Sequence, residues 1–270
     1  MDLYYNLLKY PVFSVETIQP YYNHKESART ALKRLISKGM VTKIRRNLYT
    51  CISGETDAPV ANRYQIASSI TPTSYVTHHT AMEYYGITDQ VFYEVYVASE
   101  TSFNSFSFDG YTYRYVKTNF LEGVENVKFS GNIRVTDKER TILDSIKDMD
   151  KIAGMEEVIA GIQSVKRLNE AKLVHYLELY ENQFLYQKAG FIFGQMKQEL
   201  GLTSEFFSLC KIRAGKSTRY LSSDHQDGTF NSEWNLVVPG YIFDAKNGGR
   251  PGIREPPSPE SPRGRSWMPL

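Results

Sequence analysis

With 270 residues, 41% hydrophobic and 23% charged, the chain has a globular composition and enough length for two folded units. No run reaches the ~18 uninterrupted apolar residues of a membrane span. The start, Met1-Asp2-Leu3-Tyr4-Tyr5, lacks the features of a secretory signal, and the only cysteines, Cys51 and Cys210, make neither a disulfide framework nor a zinc site by themselves, so the expected location is the cytoplasm. The net charge of +2 hides a division. Residues 1–52 carry nine bases against three acids, while residues 53–245 carry 18 bases against 25 acids. A basic head on an acidic body is the pattern of a chain whose head alone meets a polyanion.

In chain order, Leu3, Leu7 and Leu8 recur at helical spacing before Pro11. Ser14 can cap a second helix carrying Val15 and Ile18, which Pro20 interrupts. The third helix is expected over residues 23–38, capped by Asn23 with Glu26 and ended by Gly39. On it Ala28, Ala31, Leu32, Leu35 and Ile36 share one arc, whereas Ser27, Arg29, Thr30, Lys33, Arg34 and Lys38 cover the other. Val41-Thr42-Lys43-Ile44 and Leu48-Tyr49-Thr50 alternate as strands around the turn Arg45-Arg46-Asn47. Three helices and a basic-tipped hairpin read as a winged helix-turn-helix over residues 1–52. In that fold Arg29, Thr30, Lys33 and Arg34 are the candidates for the major groove of double-stranded DNA, with Lys43, Arg45 and Arg46 as the wing anchor and Lys25 as a further DNA-binding residue.

The polar run from Ser53 to Pro59 marks a boundary. Beyond it a mixed α/β domain is expected over 58–245, giving an α+β chain. Its helices fall at 62–69 and 79–85, and its strands at 74–76, 92–97, 105–108, 112–116 (after an Asp109-Gly110 turn) and 133–135. Thr136 with Glu139 forms a capping-box pattern that opens a helical region reaching about Leu200, followed by strands near 234–238 and 241–243. Six of the eleven prolines lie after Gly249, so the segment 246–270 is expected to be disordered.

One other cluster holds reactive side chains: His78-His79, Glu139 and Asp144. Neighbouring histidines point different ways on a regular element, no second ligand pair accompanies them, Glu139 has a capping role, and Asp144 suits an exposed helix face. No Gly-rich phosphate loop is present, and Phe191-Ile192-Phe193 between Gly190 and Gly194 reads as core. No catalytic, metal or cofactor site is therefore expected. Tyr84, Tyr85 and Tyr180 are candidates for an exposed partner surface.

The run Leu35-Ile36-Ser37-Lys38-Gly39-Met40-Val41-Thr42-Lys43-Ile44-Arg45-Arg46-Asn47-Leu48-Tyr49 resembles the helix-to-wing segment of the AbiEi-type antitoxins, abortive-infection regulators of bacterial toxin-antitoxin pairs, with Asn47 where that family usually has Gly. Residues 75–87, Ile133 to Asp144 and Trp234 to Pro239 resemble the family's C-terminal region, the Glu139-Arg140-Thr141 to Asp144 piece being the most specific. The resemblance spans about residues 1–245. It implies a repressor of its own operon that binds inverted repeats cooperatively, with a C-terminal domain that neutralises a co-expressed nucleotidyltransferase-like toxin, and no catalysis. Two alternatives stand beside it: a ligand- or partner-sensing transcription factor without a toxin, and a metal-dependent nucleic-acid enzyme using Glu139 or Asp144.

Overall fold

Apolar spacing and helix breakers shape the N-terminal segment as read from sequence. In the computed structural model, which describes residues 3–240 apart from 89, 153 and 224–227, two short helices come first, α1 (Leu3–Leu7) and α2 (Val15–Ile18). Ser14 caps α2, its N–H donating to Thr17 Oγ1 at 3.2 Å, and Pro20 diverts the chain into a 3₁₀ turn over Gln19–Tyr21. The third helix, α3 (Lys25–Ser37), begins two residues after the expected cap. His24 occupies the cap position without a side-chain hydrogen bond, so Asn23 does not serve as the cap. Ala28, Leu32 and Leu35 are buried, whereas Ile36, at the rim of the arc, is exposed. Gly39, at φ +71°, turns the chain into β1 (Val41–Arg45), which pairs antiparallel with β2 (Leu48–Cys51) across Asn47 at φ +56°. Phe13 and Tyr49 exchange two backbone hydrogen bonds of 2.9 Å, stitching the segment between α1 and α2 onto the hairpin.

These elements share a core of Tyr4, Leu7, Phe13, Val15, Ile18, Ala28, Leu32, Leu35, Val41 and Cys51. Truncating Leu32 there would cost about 2–5 kcal/mol. The back of the hairpin belongs elsewhere: Ile44 and Leu48 are buried with Ile66, Val76, Val95, Val97, Tyr113 and Val135. The residues from 1 to 217 accordingly form one compact unit.

That unit continues with α4 (Arg63–Ser69), whose cap Asn62 accepts from the backbone N–H groups of Tyr64 and Gln65. Then come β3 (Tyr75–Val76), α5 (His78–Tyr84), β4 (Glu94–Ser99), β5 (Phe106–Phe108), β6 (Tyr111–Lys117), β7 (Val124–Asn126) and β8 (Arg134–Thr136). The strands make a mixed sheet in the order β5-β6-β4-β3-β8-β7. β4–β6 and β3–β8 are parallel, and the other neighbours are antiparallel. Asp109 and Gly110, both at positive φ, close the β5–β6 hairpin as their residue types require. Six helices follow: α6 (Lys138–Asp148), α7 (Met155–Ser164), α8 (Glu170–Tyr180), α9 (Gln183–Gly194), α10 (Lys197–Leu200) and α11 (Ser204–Arg213). Phe191, Ile192 and Phe193 are core residues of α9.

A second cap also differs from its sequence pattern. Thr136 ends β8, so Asp137 caps α6 instead and accepts the N–H of Arg140 at 2.8 Å.

From residue 218 a second unit holds β9 (Arg219–Tyr220), β10 (Thr229–Asn231) and β11 (Leu236–Val238). β11 is central, antiparallel to β10 and parallel to β9. The strand expected at 241–243 and the segment 246–270 lie outside the described residues. The fold is α+β.

Candidate functional site

The solvent-facing side of α3 lies between two open clefts. One, of about 390 Å³, runs between α3 and the hairpin tip and is lined by Lys25, Arg29, Lys33 and Arg46 together with Glu16, Asn47 and Tyr49. The other, of about 560 Å³, lies on the opposite flank and is lined by Thr30, Arg34 and Lys38 with Glu26 and Tyr22. Four bases of the expected set (Lys25, Arg29, Lys33 and Arg34) thus fan out from α3, Lys38 stands at its C-terminal cap, and Arg46 meets them from the hairpin.

Most of these cations are uncommitted. Lys33, Arg34 and Arg46 enter no ion pair among the described residues. Arg29 pairs with Glu26 at 2.5 Å and Lys25 with Glu16 at 3.1 Å, both in solvent, where such pairs contribute little stability and exchange readily. Thr30 is exposed and donates its hydroxyl to Glu26 O at 2.9 Å.

Two of the expected wing residues stand apart. Lys43 is exposed on β1 but lines neither cleft. Arg45 turns toward the sheet side: its guanidinium lies 5.0 Å from the ring centre of Phe106 and 5.6 Å from that of Phe103, and its Nη1 is buried without a hydrogen-bond partner among the described residues. The hairpin tip therefore offers one arginine to the α3 face, not two.

Sequence reasoning passed over Glu16 and Asn47 as members of this region. Glu16 Oε2 accepts from Asn47 Nδ2 at 2.7 Å, and Asn47 Oδ1 accepts the N–H of Val15 at 3.2 Å. The amide of Asn47, the local backbone N–H and the ammonium of Lys25 hold the Glu16 carboxyl down to about 2. The only signal for this in the sequence is an acid standing in a basic segment.

The second cluster weighed from sequence is organised around a buried ion pair. Asp144 is 2% exposed rather than facing solvent. It accepts from Arg140 Nε at 2.7 Å, from Thr77 Oγ1 at 2.7 Å and from the hydroxyl of Tyr180. Burial, the largest single influence, raises its pKa, but Arg140, His78 and the hydroxyls of Tyr180 and Thr77 together outweigh it and hold the carboxyl below its ordinary value. Arg140 also donates from Nη1 to Glu122 O at 2.7 Å and from Nη2 to Tyr75 Oη at 3.3 Å, and its guanidinium lies 3.8 Å from the ring centre of Phe120. Glu139 accepts the N–H of Asn169 at 2.8 Å. His78 faces Asp148 at 3.4 Å, whereas His79 lies between Phe92 and Tyr96, so the adjacent histidines diverge. Among the described residues no three His, Cys, Asp or Glu side chains are grouped to hold a metal. Tyr85 and Tyr180, expected on a partner surface, spend their hydroxyls internally, Tyr85 on Thr136 O at 2.9 Å.

No protein-family model matches the chain, and no curated protein matches it in sequence. A solved structure, that of the RV2827C protein from Mycobacterium tuberculosis, resembles it with a TM-score of 0.66 over 92% of this chain and 94% of that one, at 10% identity. The likeness is one of fold. It extends over nearly the whole length of both chains and fits the α+β architecture described above. No helix among the described residues is long and apolar enough to cross a membrane.

Proposed function

We propose that the first 52 residues are a winged helix-turn-helix that binds double-stranded DNA, with α3 in the major groove and the β1–β2 turn as the wing. The observation that carries this reading is the pair of clefts flanking α3, lined by Lys25, Arg29, Lys33 and Arg46 on one side and Thr30, Arg34 and Lys38 on the other. A helix laid in the major groove runs between two phosphate strands, and cations on both flanks suit that placement. Arg29 and Arg34 have the reach to pair with guanine edges, while Lys33 and Arg46 suit phosphates. Arg45 and Lys43 are outside this contact set.

The larger part of the chain, in the same proposal, serves a protein partner. The resemblance of residues 75–87 and 133–144 to the AbiEi-type antitoxins supports an autorepressor that neutralises a nucleotidyltransferase-like toxin in the cytoplasm. The proposal assigns the chain no catalytic step, since Glu139 and Asp144 are taken up by Asn169 and by Arg140. Footprinting the DNA upstream of the chain's own gene tests the first half. Protection of an inverted repeat is expected, and absence of any protected site would overturn it. Co-expression with the product of the neighbouring reading frame tests the second. Rescue of growth is expected; a neighbour that is neither toxic nor bound would leave the partner-sensing regulator as the better reading.

A further inference from the structure

The cleft between α3 and the hairpin tip has one acid, Glu16, in its lining. Glu16 Oε1 accepts from Lys25 Nζ at 3.1 Å and Oε2 from Asn47 Nδ2 at 2.7 Å. One donor comes from the first residue of α3 and the other from the β1–β2 turn, so the carboxylate bridges the two elements that, on the reading above, flank a DNA strand. Arg29, Lys33 and Arg46 line the same cleft. An anion with two oxygens, held by an ammonium and an amide in a basic groove, stands in for a phosphodiester with its two non-bridging oxygens.

We propose that Glu16 is a built-in phosphate mimic: it occupies a backbone-phosphate subsite, and a bound duplex displaces it and takes over Lys25 Nζ and Asn47 Nδ2. The inference rests on the DNA-binding reading and names the subsite within it. No covalent change is involved; two hydrogen-bond donors change acceptor. In the free protein Lys25 Nζ and Asn47 Nδ2 converge on the two oxygens of this one carboxylate. Freeing Lys25 from it costs the same for every duplex, which penalises phosphate-only contacts and leaves base contacts to carry discrimination. Because the Glu16 carboxyl is held at about 2, lowering the pH from 7 to 5 does not release the subsite.

The test uses the full chain and a duplex of arbitrary sequence, with binding measured from 50 to 200 mM salt. Glu16→Gln keeps the size and removes the charge, leaving one acceptor oxygen where the carboxylate has two. It is expected to bind about threefold to tenfold more tightly, with a log–log salt slope steeper by about 0.9, and to keep that advantage at pH 5. The gain is expected to vanish in a Lys25→Ala background. A gain that persists without Lys25 would overturn the handover, since it would be only a long-range charge effect. Equal or weaker binding by Glu16→Gln would overturn it too, leaving the carboxylate as a brace for the hairpin. If wild type binds and Arg46→Ala weakens it while Glu16→Gln gains nothing, the mimic falls and the DNA-binding reading stands. If neither wild type nor Glu16→Gln binds a duplex at 50 mM salt, both fall.

Discussion

Arg34 extends from α3 into an open cleft and enters no ion pair among the described residues, whereas Arg140 on α6 is 2% exposed and has a partner for each of its three nitrogens. A guanidinium carries five N–H donors, and the way they are used separates the two regions. At Arg140 the donors go to Asp144, the Glu122 carbonyl and Tyr75, with Phe120 against the planar face. That arginine joins α6 to β3 and to the loop before β7. Along α3, Lys33 and Arg34 enter no ion pair among the described residues, and a polyanion can claim their donors. Counting charges in the sequence puts both arginines in one class; tracing where their hydrogen bonds go puts them in two.

The widest expected gap between the regions is in stability. Arg140→Ala leaves Asp144 ionised and unpaired in the interior, which costs about 3–5 kcal/mol. Arg34→Ala is expected to change stability by less than about 0.5 kcal/mol. Urea unfolding of the two variants checks this, and equal midpoints would erase the distinction.

The buried region should also respond to acid in a way the α3 face does not. His79 is 1% exposed, and burial first, with the neighbouring His78 second, depresses its pKa to about 4. Unfolded, the same ring takes up a proton near pH 6.5. Between those values the unfolded state binds the extra proton, so stability is fully present above about pH 6.5 and is lost as the pH falls toward 4. The full difference is on the order of 3 kcal/mol. Unfolding wild type and His79→Leu at pH 7 and pH 5 isolates this contribution. The variant is expected to lose less on acidification, and parallel losses would show that His79 does not titrate as described.

Parts of both regions were legible from residue order alone. The arc of Ala28, Leu32 and Leu35 located the buried side of α3, and Gly39 and Asn47 marked the turns that demand positive φ. These signals are local and depend on a period or on a backbone angle. Asp144 was misread because an Arg and an Asp four residues apart look alike on an exposed helix and on a buried one. What buries this pair is Phe120, Tyr180 and Thr77, distant in sequence. Arg45 and Arg46 failed to separate for the same reason. Whether a hairpin arginine faces the α3 cleft or stacks on Phe103 and Phe106 depends on what the rest of the chain places behind the hairpin. Glu16 went unremarked because its partners, Lys25 and Asn47, come together only when α2, α3 and the hairpin assemble.

The finest division lies between those two adjacent arginines, and it bears directly on the central claim that α3 and the tip of the hairpin grip duplex DNA. The decisive measurement is the salt dependence of duplex binding by the full chain and by Arg46→Ala and Arg45→Ala. Arg46→Ala is expected to weaken binding about threefold to tenfold and to flatten the log–log slope by about 0.9, with its unfolding midpoint unchanged. Arg45→Ala is expected to keep the affinity and slope of wild type and to lose about 1 kcal/mol of stability with its aromatic contacts. A slope that ignores Arg46, or one that follows Arg45 instead, would contradict the account.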